Sequence, residues 1–302
     1  MLSVTTNEMI KPSFRARLIS SILKLLNVKK QVEKQVINNR LNRTKKEFVP
    51  KKIMQKYSVV NQTVDTKSVT TFETKQGGTN THLILLHGGA YLFEAGMIHW
   101  TFAQKIVDKI NCKMTLIDYP LAPEHDYKTT YAMVQKSYQK LTEQYPNDDF
   151  MLIGDSAGAG LAMGFYQQLQ IEKVEKLPSK IILLSPWLDL TMTNPEAKKH
   201  ESTDYLLTIK MLQTAASYYA KGDDQSQYLL SPINGDLTNF PPTYIFYSDT
   251  ELFCADCRKL RSMVRDNRNF VFKEYHGMQH DWAMFPISES NRVVEEICGF
   301  IG

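Results

Sequence analysis

The chain has 302 residues, 43% of them hydrophobic and 23% charged, with a formal net charge of +4 and four cysteines. This suits one large α/β domain or two small ones. No apolar run approaches the ~18 residues that a membrane span requires, and four thiols without a signal-peptide pattern argue for reduced cysteines and a cytoplasmic chain rather than a disulfide framework.

Charge is uneven along the chain. Residues 1–52 hold thirteen Lys and Arg against three Glu, which leaves the remainder at −6. Within this basic arm Phe14, Leu18, Ile22 and Leu25 recur at helical spacing beside Ile19, Leu23 and Leu26, and Arg15, Arg17, Lys24, Lys29 and Lys30 supply charge. The pattern predicts an amphipathic helix. Its apolar face is expected to pack on the main body. Attraction to an anionic membrane surface is the second reading.

Residues 57–74 alternate polar and apolar around Asp65-Thr66-Lys67 and predict an edge hairpin. Short buried strands are expected at 82–86, 113–117, 150–153, 180–184, 243–247 and 270–275, most of them separated by helical segments at 100–110, 127–144, 159–169, 255–264 and 292–300. Repeated βα units of this kind predict an α/β class with a doubly wound, mostly parallel central sheet.

The interval from 190 to 240 breaks the rhythm. A polar stretch precedes a helical run at 206–220, whose Tyr205, Leu206, Leu207, Met211, Tyr218 and Tyr219 are apolar enough to cover something. The expected organisation is a helical arm at 1–55, forming part of a cap, and a catalytic domain at 56–302 with a helical cap insertion at about 191–230. Cys254-Ala-Asp-Cys257 has redox or zinc spacing, but no second CxxC accompanies it and no thioredoxin-like βαβ start surrounds it. Both cysteines read as helix packing.

Gly154-Asp155-Ser156-Ala157-Gly158 lies between a strand and a helix. On such a turn the serine is forced outward at the end of the sheet, which makes Ser156 the candidate nucleophile. His87-Gly88-Gly89-Ala90-Tyr91 directly follows another strand, and its adjacent glycines let backbone N–H groups turn into a small concavity. Gly88 and Gly89, joined by Ala157, are the candidate oxyanion-hole donors.

A serine hydroxyl needs a base from a later loop. His280 lies far enough past the last strand to reach across the site, whereas His276 sits too near the strand end. His87 belongs to the oxyanion loop, and His82, His99, His125 and His200 read as structural. The acid that fixes the histidine tautomer follows the serine and precedes the histidine. The loop after Tyr247 offers two, Asp249 and Glu251, while Asp256 reads as a charge at a helix N-terminus.

As a set, these motifs resemble the hormone-sensitive-lipase-like (HGGG) esterases of the α/β-hydrolase superfamily. The likeness extends to Asp118-Tyr-Pro-Leu-Ala-Pro-Glu-His125, Leu184-Ser-Pro-Trp-Leu-Asp-Leu190 and Ser231-Pro-Ile-Asn-Gly-Asp236, in the family's order. It implies an α/β-hydrolase fold with a helical cap built from the N-terminus and a mid-chain insertion. The family's acid lies three residues after a glycine whose place Ser248 takes here. That puts the acid role on Glu251, with Asp249 as the alternative. Two departures stand out: Ala90 replaces the last glycine of the loop, and Asp281-Trp282 follows His280 where Gly-Phe is common.

The resemblance implies a serine carboxylic-ester hydrolase acting on short- to medium-chain acyl esters through an acyl-enzyme. Amide or formamide hydrolysis on the same triad is the alternative, and a non-catalytic lipid-interacting protein a more distant one. No metal or organic cofactor is implied. The expected partner is a small-molecule acyl ester, with no nucleic acid, weak surface association through the basic helix, and a homodimer compatible with the sequence.

Overall fold

The computed structural model describes residues 11–43 and 49–302. Parts of the predicted arm, at 1–10 and 44–48, lie outside the described residues. The arm contains α1 (Phe14–Leu25), α2 (Val28–Ile37) and α3 (Lys51–Lys56), followed by the hairpin β1 (Tyr57–Val64) and β2 (Lys67–Thr74). Then come β3 (Thr81–Leu86), α4 (Met97–Ile110), β4 (Lys113–Ile117), α5 (Tyr127–Gln144), β5 (Asp149–Asp155), α6 (Ser156–Ile171) and β6 (Lys180–Leu184). The insertion holds α7 (Ala197–His200) and α8 (Ile209–Ala220), and the chain finishes with β7 (Thr243–Ser248), α9 (Cys254–Met263), β8 (Phe270–Tyr275) and α10 (Ser288–Ile301).

The eight strands form one sheet in the order β1-β2-β4-β3-β5-β6-β7-β8. The hairpin pairs antiparallel within itself and with β4, and all other pairings are parallel. Central strands covered on both faces must be apolar at every position, which is why they read as continuous runs. Ile84, Leu86, Phe150, Leu152, Ile181 and Leu183 face a core shared with α5, α6, α8 and α9. Their alternates Leu83, Leu85, Met151, Ile153, Ile182 and Leu184 face a second core shared with α4 and α10. Parallel strands aim their C-terminal ends at one edge, so the loops after β3, β5, β7 and β8 meet there.

Several boundaries differ from the sequence reading. The single amphipathic helix is two, because Asn27 takes a left-handed φ of 49° between α1 and α2. The helix expected at 206–220 begins at Ile209, where Thr208 Oγ1 accepts the Met211 N–H and Asp204 Oδ1 accepts the N–H groups of Leu206 and Leu207. The helix expected at 159–169 already begins at Ser156.

The expected packing of the α1 stripe is not what the structure has. Phe14 is 72% exposed and Leu25 83%, with Leu18, Ile22 and Leu26 also in solvent. Two anchors fix the opposite face inward. At the N-terminus of α1, Ser13 N–H and Oγ donate to Glu289 at the start of α10, and beyond its C-terminus Lys29 Nζ donates to the carbonyls of Glu201 and Asp204. Ala16 is thereby buried and Ile19 half-buried against the α4/α10 core. The next segment reaches the insertion: Val36 of α2 is wholly buried, Tyr218 Oη of α8 donates to its carbonyl, and Thr208 Oγ1 donates to Glu33.

Candidate active site

Ser156 sits at the junction of β5 and α6 with a φ of 51°, left-handed backbone that a non-glycine residue rarely holds. The turn closes this tightly because a Cβ on Gly158 would run into the Leu86 and His87 carbonyls of β3 and its loop. Bringing α6 so close to β3 sets the serine beside the His87-Gly88-Gly89 loop. Gly89 itself has a φ of +115°, and a Cβ there would lie 2.6 Å from the Phe93 carbonyl oxygen. Among the described residues the N–H groups of Gly88, Gly89 and Ala157 meet no acceptor. Buried or half-buried donors left open in this way are rare in folded proteins.

Ser156 Oγ lies 2.9 Å from His280 Nε2, and His280 Nδ1 lies 2.8 Å from Glu251 Oε2. Glu251 is wholly buried, and its second oxygen accepts the Ser248 N–H at 2.8 Å. Asp249 faces elsewhere: it meets His276 Nδ1 at 2.5 Å and the Gly277 N–H at 2.8 Å. The Phe253 ring stands edge-on to His280 at 5.0 Å and stacks on Trp187, whose backbone N–H donates to the Ser156 carbonyl. Burial alone disfavours a charged imidazole. The Asp281 and Glu251 carboxylates beside His280 nevertheless hold its pKa well above the usual histidine range.

The remaining candidates fall where their local chemistry puts them. His87 is wholly buried and stacked on Tyr119 at 4.3 Å, and burial pushes its pKa down to about 4. His82 bonds Asp148 and Thr115 on the sheet. Cys254 and Cys257 are buried free thiols whose pKa burial pushes up, the opposite of a reactive thiolate. Asp256 is buried rather than an open helix charge: it accepts from Asn194 Nδ2 at 2.8 Å, and burial pushes its pKa up to about 6.

Two site neighbours carry no role in the sequence reading. His99 receives the Gly96 N–H on Nδ1 and meets Asp155 Oδ2 with Nε2 at 3.2 Å, directly behind Ser156. Asp281 Oδ2 lies 3.1 Å from His280 Nε2. For Asp281 the signal was its place next to the candidate base. His99 offers none, since the helix that brings it to Asp155 is visible only in the fold.

The side of the site that meets α8 is aromatic. Tyr91, just past the glycine loop, stacks on Tyr219 of α8 with ring centroids 3.8 Å apart. Arg43 of the arm ties this loop to the one after β4, donating to the carbonyls of Leu92 and Ala122 and pairing with Glu124.

A family model described as alpha/beta hydrolase fold matches residues 83–284. An esterase from Acinetobacter venetianus is 32% identical over 76% of this chain and 77% of its own length. An acetyl-hydrolase from Streptomyces hygroscopicus is 30% identical over 72% of this chain and 73% of its own. Among solved structures, an esterase from the bacterial hormone-sensitive lipase family superposes with a TM-score of 0.80 at 20% identity, over 97% of this chain and 98% of that one, a likeness of fold. With the matched model spanning both the serine turn and the histidine loop, and with esterase and acetyl-hydrolase relatives, this chain belongs to the alpha/beta hydrolase family and is a carboxylesterase-like hydrolase.

Proposed function

We propose that the chain hydrolyses short- to medium-chain acyl esters through a covalent acyl-enzyme on Ser156. The carrying observation is the continuous line from Ser156 Oγ to His280 Nε2, at 2.9 Å, and from His280 Nδ1 to Glu251, at 2.8 Å. Ser156 Oγ attacks the ester carbonyl carbon while its proton passes to His280 Nε2. The carbonyl electrons move onto oxygen, where the N–H groups of Gly88, Gly89 and Ala157 receive the charge. Each such donor lowers the barrier by about 2.7–4 kcal/mol. Collapse of this intermediate expels the alkoxide, which takes the proton from His280. Water then attacks the acyl-enzyme, gives its proton to His280, and the second collapse returns the proton to Ser156 as the acid leaves.

Glu251 holds the His280 tautomer with Nδ1–H and stabilises the imidazolium in both halves of the cycle. Ser156→Ala removes the nucleophile without adding volume. The expected result is loss of turnover of a chromogenic short-acyl ester together with loss of labelling by a fluorophosphonate probe. Unchanged turnover overturns the reading.

The arm and the insertion are proposed to act as one cap over this site. Support comes from the buried Val36 and the Glu33–Thr208 bond between α2 and α8, and from the Tyr219–Tyr91 stack that joins α8 to the glycine loop. We also propose that α1 rests on anionic lipid surfaces. Its exposed stripe of Phe14, Leu18, Ile22 and Leu25 has Arg15, Arg17 and Lys24 for charged neighbours and no acidic residue within the helix. Apolar insertion and cationic attraction from Arg15 and Arg17 then act together, while Lys24 Nζ lies 5.5 Å from the Tyr205 ring centroid. Among the described residues no helix is long and apolar enough to cross a membrane.

A further inference from the structure

His280 Nε2 faces two oxygens. Ser156 Oγ lies at 2.9 Å and Asp281 Oδ2 at 3.1 Å. Because Nδ1 already meets Glu251, the imidazole stands between two carboxylates. Asp281 is fixed by its backbone, with a φ of 55° and its N–H donating to Ser185 Oγ at 3.3 Å. Its side chain is 17% exposed, and Oδ1 is buried with no partner among the described residues. The charged and titratable groups acting on it are His280, Asp155 and Glu251. Asp155 is met in turn by His99. The groups facing His280 are Asp281 and Glu251, with the Phe253 ring against its edge.

We propose that Asp281 is a positioning residue for the His280 proton. Its carboxylate beside Nε2 sets the pH at which His280 becomes a free base, and it stabilises the imidazolium formed when Ser156 gives up its proton. This rests on the serine-hydrolase reading above. Glu251 alone accounts for the tautomer, so the chemistry does not require a second carboxylate. Its presence has two opposite effects. Before attack it favours a protonated Nε2, which cannot accept the Ser156 proton. After attack it favours the same charge where the reaction creates it.

The sign follows. A raised base pKa keeps His280 protonated to higher pH, so the acid limb of kcat/KM sits higher than Glu251 alone would place it. An opposite charge within ~4–6 Å shifts a pKa by about 1–3 units. Removing the Asp281 charge should therefore lower the midpoint of the acid limb by at least about one pH unit, and lower the alkaline plateau as well. The two profiles should cross.

Asp281→Asn and Asp281→Gly test this without backbone strain, since both residue types accept a left-handed φ. kcat/KM is measured on a chromogenic short-acyl ester from about pH 5 to about pH 10, with fluorophosphonate labelling of Ser156 in parallel and thermal unfolding to verify the fold. Crossing profiles in both variants support the proposal. Labelling and turnover with an unmoved acid limb overturn the role of Asp281 and leave the nucleophile standing. A wild-type protein that neither turns over ester nor labels at any pH overturns the hydrolase reading and this proposal together.

Discussion

Glu251 and Asp249 occupy the same loop, two positions apart, yet meet different histidines. Glu251 is wholly buried on His280, whereas Asp249 meets His276, whose side chain is 51% exposed. A carboxylate that orients a catalytic imidazole is worth on the order of 10⁴-fold in kcat. One on a half-exposed histidine contributes about 1 kcal/mol or less to stability. Glu251→Gln should therefore lose most of kcat with KM little changed, because a neutral amide neither holds the tautomer nor stabilises the imidazolium. Asp249→Asn should stay near wild type. A larger kcat loss in Asp249→Asn would reverse the assignment. Position in the sequence leaves both acids open, since both follow β7 closely enough to reach the site, and only the family resemblance favours Glu251. The choice turns on which way each side chain points from the loop, and that is set by the Ser248 N–H bonding to Glu251 and the Gly277 N–H bonding to Asp249.

Among the elements, the strands were legible because a parallel sheet covered on both faces writes itself as unbroken apolar runs. The strand–turn–helix around Ser156 was legible because strand, glycine pair and helix lie within one short stretch. α1 was legible as a helix, but not for the direction of its apolar face. Helical periodicity says that Phe14, Leu18, Ile22 and Leu25 share a side. Only distant partners, Glu289 on one end and the Glu201 and Asp204 carbonyls beyond the other, decide that this side points outward. That outward stripe makes a direct prediction. Leu18, Ile22 and Leu25 changed to Ser should leave the fold and soluble-ester turnover intact, since these side chains are exposed. Co-sedimentation with vesicles of anionic phospholipid should fall at least about tenfold, each large side chain contributing up to ~1.5–3 kcal/mol when buried. Binding of the unaltered chain should also weaken as salt screens Arg15 and Arg17. Unchanged co-sedimentation sinks the idea. So does concentration-dependent self-association abolished by the same substitutions, which would assign the stripe to a second copy of the chain.

At the scale of the whole molecule, the arm has two parts with different attachments. Residues up to Leu26 touch the body through Ala16, Ile19 and the Ser13–Glu289 bonds. Residues 28–43 do more: Val36 is buried with α8, Glu33 accepts from Thr208, and Arg43 satisfies the Leu92 carbonyl on the loop that carries Tyr91 and the Ala122 carbonyl on the loop after β4. Tyr91 and Tyr219 stack directly, so anything that shifts α8 also shifts the loop that follows Gly88 and Gly89. Removing residues 1–26 should therefore abolish vesicle binding with little change in acyl preference. Removing residues 1–43 should uncover α8 and leave the Leu92 and Ala122 carbonyls without Arg43. Losing one buried valine and two partnered carbonyls amounts to a destabilisation on the order of 3–6 kcal/mol. The proposed catalytic line through Ser156, His280 and Glu251 lies wholly within 156–280, so fluorophosphonate labelling should survive wherever the shortened protein still folds. What should change is selectivity: the ratio of kcat/KM across esters of rising acyl length should shift in the 1–43 deletion and not in the 1–26 deletion. Val36→Ser and Arg43→Gln provide milder versions of the same loss. If both deletions keep the wild-type acyl profile and unfolding temperature, residues 28–43 are not part of the cap.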